Sequence, residues 1–354
     1  MKGFILDESA TGQTVFMEPT EALEANNEIR DLVHAQKREI VRILKELTNA
    51  LRVSLFDIEA AVNFLGQLDF IRAKAKLALE LNADLPVVSE RQVVRWMKAR
   101  HPILLLTLKG KREIVPLDIE LSDDNRMLLV SGPNAGGKSV CLKTVGLLQY
   151  MLQCGLLVSA SADSQAEIFT DIFIDIGDQQ SIENDLSTYS SHLKNMRFFL
   201  EHAGKNSLVL MDELGAGTDP DFGGAIAESI LHGLLNKQVW GVATTHYNNL
   251  KLFAEKHAGI RNAAMRFDEE NLTPLYLLEI GKPGSSFALE IAEKTGLPER
   301  TLFEAKELVG KELMGFESLV RTLEKEKSEL SDRVTNLEKK ERELKTLLSK
   351  YDSL

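Results

Sequence analysis

The chain has 354 residues, of which 44% are hydrophobic and 27% charged, a balance typical of a globular protein with more than one folded unit. Its formal net charge of −11 argues against a protein that only coats nucleic acid, so any nucleic-acid contact must be local. No apolar run approaches a membrane span, the first residues do not predict a signal peptide, and Cys141 and Cys154 fit a reducing compartment. We therefore expect a cytoplasmic location and no membrane partner.

The N-terminal region predicts a short hairpin followed by long helices. Residues 3–17 alternate between apolar and polar side chains around glycines, which is typical of a hairpin. From Pro19 to about Leu81 the apolar residues recur at every third and fourth position, which is typical of amphipathic helices. We assign residues 1–99 to this helical region.

From about Arg100 the sequence changes to short β-rich runs that alternate with helical stretches. This alternation is typical of an α/β domain with a mostly parallel sheet, which we place at residues 100–300. An edge hairpin is predicted at residues 271–281. The other predicted strands are Ile103–Leu108, Ile114–Leu121, Met127–Ser131, Ile168–Ile176, Ser207–Met211 and Val239–Thr244.

The last segment, residues 301–354, predicts a coiled-coil helix. Apolar residues recur every seven positions in two seams, which Lys327 and Glu341 interrupt with polar side chains. A charged helix that packs on its own domain is the alternative. Because the start lacks a leading cap and the heptads break at the end, we expect the sequence to be part of a longer protein.

Residues 132–139 read GPNAGGKS, a glycine-rich phosphate loop between the predicted strand Met127–Val130 and a helix predicted from about Lys138. The glycines let backbone N–H groups face a phosphate, and the helix start adds its positive end. Lys138 is expected to reach the β- and γ-phosphates, and the Ser139 hydroxyl to hold magnesium. We therefore predict ATP or ADP and Mg²⁺ as ligands, with a binding set of Gly132, Pro133, Asn134, Ala135, Gly136, Gly137, Lys138, Ser139 and Val140.

Two later strands end in polar residues. Leu208–Met211 is followed by Asp212 and Glu213. Asp212 is expected in the magnesium shell, and Glu213 to orient or deprotonate the attacking water. His246 follows the next predicted strand and could sense the γ-phosphate or position water. The alternatives are two solvated acids and a structural histidine.

Ser187 opens a predicted helix between the phosphate loop and the acidic strand. It could be no more than an N-cap. The functional interpretation is that the helix start faces a γ-phosphate, as in the signature helix of ATP-binding-cassette (ABC) ATPases, which reaches the nucleotide of the opposite subunit. Residues 215–219, GAGTD, are then predicted to cross a dimer interface.

Together these motifs resemble the MutS family, because GPNAGGKS, STY, DELGAGTD and TTHY occur in the order and at the spacing of its four ATPase motifs. Residues 100–102, RHP, resemble the entry to that ATPase domain, and residues 281–288 resemble its closing helices. Residues 7–14, DESATGQT, and residues 177–182, GDQQSI, are similar to the bacterial MutS-II-type paralogue.

The resemblance implies a P-loop ABC-type ATPase domain, preceded by part of the core and lever helices and followed by a coiled coil. It implies a homodimer through the ATPase domains that acts as a clamp on nucleic acid. This branch is linked to suppression of recombination and to stalled ribosomes, so branched or mismatched DNA and the ribosome are the implied partners. An Smr nuclease domain is expected beyond this sequence.

One residue departs from the family pattern. Mismatch-repair members stack an aromatic residue on adenine from the strand before the phosphate loop, and Ile114 takes that place here. An aliphatic side chain can still cover a purine face. The selectivity for adenine is therefore an open question at the level of the sequence.

Two other functions fit parts of the pattern. A structural ATPase of the chromosome-maintenance type is disfavoured, because its coiled coil separates the phosphate loop from the acidic strand, and here both lie in one segment. A ribosome-binding ATPase that gates translation rescue is not separated from a DNA clamp by these residues.

Overall fold

The computed structural model of the chain describes residues 3–88, 93–177, 187–268, 271, 273–285, 287–309, 333, 337 and 340. The chain forms two compact units, Met1–Ala73 and Lys74–Leu354. Within the described ranges, no helix is both long enough and apolar enough to cross a membrane. Nearly all of the predicted coiled coil lies outside the described residues.

The first unit begins with the predicted hairpin, in which β1 (Gly3–Glu8) pairs antiparallel with β2 (Val15–Pro19). Two helices follow, α1 (Thr20–Arg52) and α2 (Leu55–Leu81), and the second of them continues into the next unit. The long helices are thus confirmed. Good helix formers and the absence of proline inside them explain their length, and none of the residues of α1 is buried.

The second unit contains the remaining elements. In chain order they are β3 (Val87–Val88), β4 (Val93–Ala99), α3 (Pro102–Thr107), β5 (Leu117–Ser122), β6 (Met127–Ser131), α4 (Lys138–Gln153), β7 (Gln165–Ala166), β8 (Asp171–Asp175), α5 (Ser187–His202), β9 (Ser207–Met211), α6 (Pro220–Asn236), β10 (Trp240–Thr244), α7 (Asn248–Lys256), β11 (Ile260–Asp268), β12 (Thr273–Ile280), α8 (Ala288–Lys294) and α9 (Glu299–Val309).

The main sheet has six strands in the order β12-β11-β6-β10-β9-β8. Five of them are parallel, and β12 alone runs antiparallel, at the edge next to β11. Every residue of β6, β9 and β10 is buried, which explains why these strands are nearly continuous apolar runs. Their carboxyl ends meet at one edge of the sheet, where the candidate site lies. The predicted α/β class with a mostly parallel sheet is confirmed.

Two hydrophobic cores cover the two faces of this sheet. Side chains of a strand alternate between faces, so Leu128 and Val130 pack with Leu142 of α4, whereas Met127 and Leu129 face the opposite side. That opposite core is completed by α5, α6 and α7. The phosphate-loop strand is therefore fixed between two packed layers.

A smaller sheet, in the order β3-β7-β4-β5, packs on the α4 side through Trp96 and Ile119. It combines strands from both sides of the predicted boundary at residue 99, because β4 pairs antiparallel with β5. The division into residues 1–99, 100–300 and 301–354 stays a prediction.

The strands that flank the motifs were predicted within about one residue, but others were not. The predicted strand Ile103–Leu108 is wrong: residues 102–107 form α3, with Pro102 at its first turn, where proline is favoured. Periodicity alone does not separate a short apolar strand from a buried helix. The strand expected from Ile114 begins only at Leu117, and β4 and β11 were not predicted. The hairpin at 271–281 is a single strand, β12, that pairs with β11.

Candidate functional site

The predicted phosphate loop lies where β6 ends and α4 begins. Gly132 has a φ of 126° and Gly137 a φ of 91°, values that residues with a Cβ rarely adopt. Between them, Asn134–Gly136 form one turn of 3-10 helix. Ala135 lies in this turn, and its side chain is not described. Lys138 is the first residue of α4, which has 16 residues. The loop therefore passes directly into the start of this helix, where the backbone N–H groups are free.

Lys138 is buried, and its ammonium is held by neutral groups of the loop. Its Nζ donates to Gly132 O at 2.8 Å, to Pro133 O at 3.1 Å and to Asn134 Oδ1 at 3.3 Å. Burial lowers the pKa of Lys138 to about 8, against the opposing effect of Glu213 and Asp212. A buried ammonium that lacks full charge compensation fits a site for an anionic group.

The base of the loop is also tied to a later segment. The Ser131 hydroxyl accepts the Gly284 N–H at 2.7 Å, and Lys251 Nζ donates to Gly284 O at 2.8 Å. A Cβ added at Gly284 would lie 3.0 Å from the nitrogen of Gly132, closer than real Cβ atoms normally approach. Only glycine lets the two backbones pass at this distance.

Asp212 and Glu213 follow β9 and are organised by Thr244, the last residue of the neighbouring β10. The Thr244 hydroxyl donates to Asp212 Oδ1 at 2.6 Å and accepts the Glu213 N–H at 2.7 Å. Glu213 has a φ of 48°, a left-handed conformation that is uncommon outside glycine, and its side chain is 46% exposed. The Glu213 carboxylate is therefore accessible to solvent and lies beside the phosphate loop.

His246 lies two residues beyond β10 and faces Glu213. Its Nε2 is 3.7 Å from Glu213 Oε1, which is longer than a hydrogen bond. Burial, aided by the positive charge of Lys138, lowers the pKa of His246. The imidazole is therefore held toward its neutral form, which can both donate and accept hydrogen bonds.

A groove of about 390 Å³ brings several predicted residues together. Ser139, Asp212 and Glu213 line it, and so does Lys143 from the first turns of α4. Among the described residues, no group of three or more His, Cys, Asp or Glu side chains is placed to form a metal centre. A hydroxyl and one carboxylate suit Mg²⁺, which usually takes one or two carboxylates and completes its shell with water and substrate phosphates.

The predicted helix at Ser187 exists: α5 starts at this residue, whose side chain is not described. Tyr189, in its first turn, packs against the loop that follows the acids, because a Cβ on Gly217 would lie 3.4 Å from the Tyr189 Cβ. The helix start and the loop 215–219 are therefore neighbours.

Beside the phosphate loop, a cavity of about 230 Å³ is lined by Gly137 and Val140. Ile114 lines it too, from the loop before β5 rather than from a strand. Tyr276 of β12, which no sequence motif singles out, also lines the cavity, and its backbone has a φ of 57°. The Arg112 guanidinium lies 5.1 Å from the centre of the Tyr276 ring. Strained backbone at a bulky residue in a cavity is a signal of function that only the structure reveals.

Sequence reasoning also missed Asp175 and His192. Asp175 ends β8 and is buried, and its carboxylate contacts His192 Nδ1 at 2.6 Å. His192 lines the same groove as Ser139 and Glu213. No short motif contains both residues, so only the packing of α5 on the sheet reveals the pair.

Residues 128–313 match the family model of MutS domain V. The chain is 44% identical over 349 residues to a protein named Endonuclease MutS2 from Carboxydothermus hydrogenoformans, an alignment that covers 97% of the chain and 44% of that relative. Relatives of the same name from Finegoldia magna and Clostridium kluyveri are 43% and 40% identical, each over 99% of the chain and 44% of the relative.

The chain thus spans less than half the length of these curated relatives. The family model covers more than half of the chain, including the phosphate loop, the acidic strand end and the Thr-His strand end. The chain belongs to the MutS family, in its branch of MutS2-type paralogues.

Proposed function

We propose that the chain binds ATP with Mg²⁺ and hydrolyses it to ADP and phosphate. The observation that carries the proposal is the convergence of Lys138, Ser139, Asp212 and Glu213 at the carboxyl edge of one parallel sheet. Phosphate release from ATP by the purified chain, and its loss when EDTA removes Mg²⁺, tests the proposal. Phosphate release no faster than that of ATP without protein, or a rate that EDTA does not change, would contradict it.

In this proposal each residue has a defined task. The loop N–H groups and Lys138 bind the β- and γ-phosphates. Glu213 orients and deprotonates the attacking water. His246, whose Nε2 lies 3.7 Å from Glu213 Oε1, helps to position this water. The Ser139 hydroxyl and the Asp212 carboxylate hold Mg²⁺, which neutralises charge on the phosphates when bound. We further propose that the domain is of the P-loop ABC type and occupies residues 100–300, between the lever helices of 1–99 and the helical segment 301–354.

The pKa of Lys138 gives a pH prediction. Before nucleotide binds, this pKa is lowered to about 8 by burial. Bound phosphates favour the ammonium form and raise the pKa. ATP binding between about pH 8 and pH 9 is therefore expected to take up a proton, and affinity to fall as pH rises through this range. Calorimetry in two buffers of different ionisation enthalpy measures the uptake.

Lys138→Arg is the matched control for proton uptake, because a guanidinium stays charged throughout this range. Binding by the arginine variant is expected without proton uptake. Equal proton uptake by both proteins would place the titrating group elsewhere.

We also propose that the cavity beside the loop holds the purine base. It shares Gly137 and Val140 with the phosphate site, and Tyr276 and the aliphatic Ile114 line it. An aromatic wall thus comes from β12 even though Ile114 is aliphatic. Stacking of a base on an aromatic ring contributes roughly 1–3 kcal/mol.

Tyr276→Ala is expected to weaken ATP binding about 10-fold while leaving the affinity for inorganic triphosphate unchanged, because triphosphate has no base to contact Tyr276. Equilibrium titration with both ligands measures this difference. Tyr150→Ala, at an exposed tyrosine, is the control. Equal loss for both ligands would show that Tyr276 acts on the loop and not on the base.

The chain is further proposed to pair as a homodimer through its ATPase domains, with two nucleotides between the copies. The start of α5 and the loop 215–219 are adjacent, through Tyr189 and Gly217, and together they form the surface that would face the partner's nucleotide. The free N–H groups of a helix start favour a phosphate.

Ser187→Arg is expected to abolish hydrolysis, because a long cation at the helix start blocks the approach of the partner's γ-phosphate. Folding should be retained, as circular dichroism and thermal unfolding can show. Ser54→Arg is the control, since Ser54 is exposed and lies directly before the helix α2. A wild-type rate in Ser187→Arg would refute the composite site.

Finally, we propose that ATP-driven closure acts on nucleic acid, either branched or mismatched DNA or ribosomal RNA in a stalled ribosome. The relatives carry the name endonuclease; we place any such nuclease in an Smr domain outside this chain. Co-sedimentation of the full-length protein with ribosomes and with branched DNA, with and without ATP, separates the two substrates.

A further inference from the structure

Asp175 is the centre of a buried polar network at the end of β8. Asp175 is 7% exposed, and its carboxylate contacts two side chains of α5. Oδ2 lies 2.6 Å from His192 Nδ1, and Oδ1 accepts the amide of Asn195 at 2.8 Å. The backbone oxygen of Asp175 accepts the Asp212 N–H at 2.8 Å. The network therefore ties α5 to the strand end that carries the acidic pair.

These contacts determine which nitrogen of His192 is the donor. An ionised carboxylate can only accept, so Nδ1 carries the proton that faces Asp175. In the neutral ring Nε2 is then an acceptor, on the far side from Asp175. The His192 side chain is 26% exposed and lines the groove that Ser139, Asp212 and Glu213 also line. His192 thus lies at this groove, and in this tautomer its second nitrogen is an acceptor.

We propose that His192 is a further residue of the hydrolytic site, whose Nε2 accepts a hydrogen bond from the attacking water. Asp175 and Asn195 act through it as positioning residues. This inference rests on the proposed ATP hydrolysis. A water that directs one hydrogen to Glu213 and the other to His192 has a lone pair left for the γ-phosphorus, so two acceptors fix its direction of attack.

The bond and proton changes of ATP hydrolysis in this proposal need only the water, Glu213 and His192. The water oxygen forms a bond to the γ-phosphorus, and the bond from phosphorus to the bridging oxygen breaks. ADP leaves with that electron pair, and Glu213 takes the water proton. His192 accepts a hydrogen bond from the second hydrogen of the water and does not remove it.

Two substitutions at His192 separate this role from a structural one. In His192→Asn the amide nitrogen can take the position of Nδ1 and keep the contact with Asp175, but no acceptor remains at the position of Nε2. In His192→Gln the side-chain oxygen can reach the position of Nε2. His202→Asn is the matched control, since His202 lies on the same helix, is exposed and contacts the backbone oxygen of Phe198.

We expect His192→Asn to lower kcat about 30-fold in the full chain, with nucleotide affinity and thermal unfolding unchanged, because only the direction of the water is lost. His192→Gln should recover at least about a third of the rate, and His202→Asn should equal the wild type. Steady-state turnover, titration of a fluorescent ATP analogue and thermal unfolding provide the three readouts. Nitrogen NMR of labelled histidine should show the proton of His192 on Nδ1.

A wild-type kcat in His192→Asn would overturn the inference. So would a loss of nucleotide affinity and thermal stability in parallel with kcat, since His192 would then be structural. Failure of the wild-type chain to hydrolyse ATP at all would instead refute the proposed function, and the unsubstituted protein tests that first.

Discussion

Lys138→Ala is expected to abolish ATP hydrolysis and to weaken ATP binding by about 100-fold or more. The substitution removes the only ammonium that the loop carbonyls of Gly132 and Pro133 hold, among the described residues. Truncation of one partner of a buried charge contact costs about 2–5 kcal/mol, which corresponds to this range of affinity. Equilibrium titration with ATP and a phosphate-release assay measure the two effects.

The cost to folding should be small by comparison. Burial already lowers the pKa of Lys138 to about 8, so the charged form is disfavoured in the folded protein and its loss removes an unfavourable burial. Lys138→Met keeps the volume and should lose binding to the same extent. Lys237→Ala, which removes a lysine that binds the carbonyl oxygens of Glu201 and Ala203, should bind ATP normally. Retained binding in Lys138→Met would contradict the assignment.

Glu213→Gln is expected to bind ATP with wild-type affinity, to lower turnover about 1,000-fold and to accumulate a closed dimer. The amide keeps the shape of the side chain but cannot accept the proton of the attacking water. Since the Glu213 N–H is held by Thr244 at 2.7 Å, the backbone of the acidic turn should not move. Light scattering with and without ATP detects the dimer, and a phosphate-release assay measures turnover.

Glu120→Gln serves as the control, because Glu120 is half exposed and pairs with Arg95 on the smaller sheet. It should hydrolyse ATP and dissociate like the wild type. Normal turnover in Glu213→Gln would mean that another group activates the water. Low turnover without a dimer would separate the chemistry from the proposed closure.

The sequence predicted those parts of the site that parallel strands bring together. Lys138, Asp212 and His246 each follow a buried apolar run, and the ends of neighbouring parallel strands share one edge of a sheet. Their spatial convergence therefore follows from strand order alone. The strands themselves were predictable for the same reason, since burial on both faces makes them continuous apolar runs.

Other parts of the site depend on packing that no local pattern encodes. Tyr276 reaches the cavity from an antiparallel edge strand, through a left-handed backbone that a strand pattern does not predict. His192 meets Asp175 only because α5 packs on β8. The pattern predicts a strand from Ile114, but the chain there is a loop that lines the cavity before β5 begins.

The contact at Gly284 joins the base of the phosphate loop to the segment that leads into α8. One hydrogen bond, from the Gly284 N–H to the Ser131 hydroxyl, and the close approach of Gly284 to Gly132 join them, while Lys251 of α7 holds the Gly284 oxygen. A shift of the loop on phosphate binding is therefore expected to move Gly284, four residues before α8 begins at Ala288. Phosphate binding would then be felt at α8 through this contact rather than only at the parallel sheet.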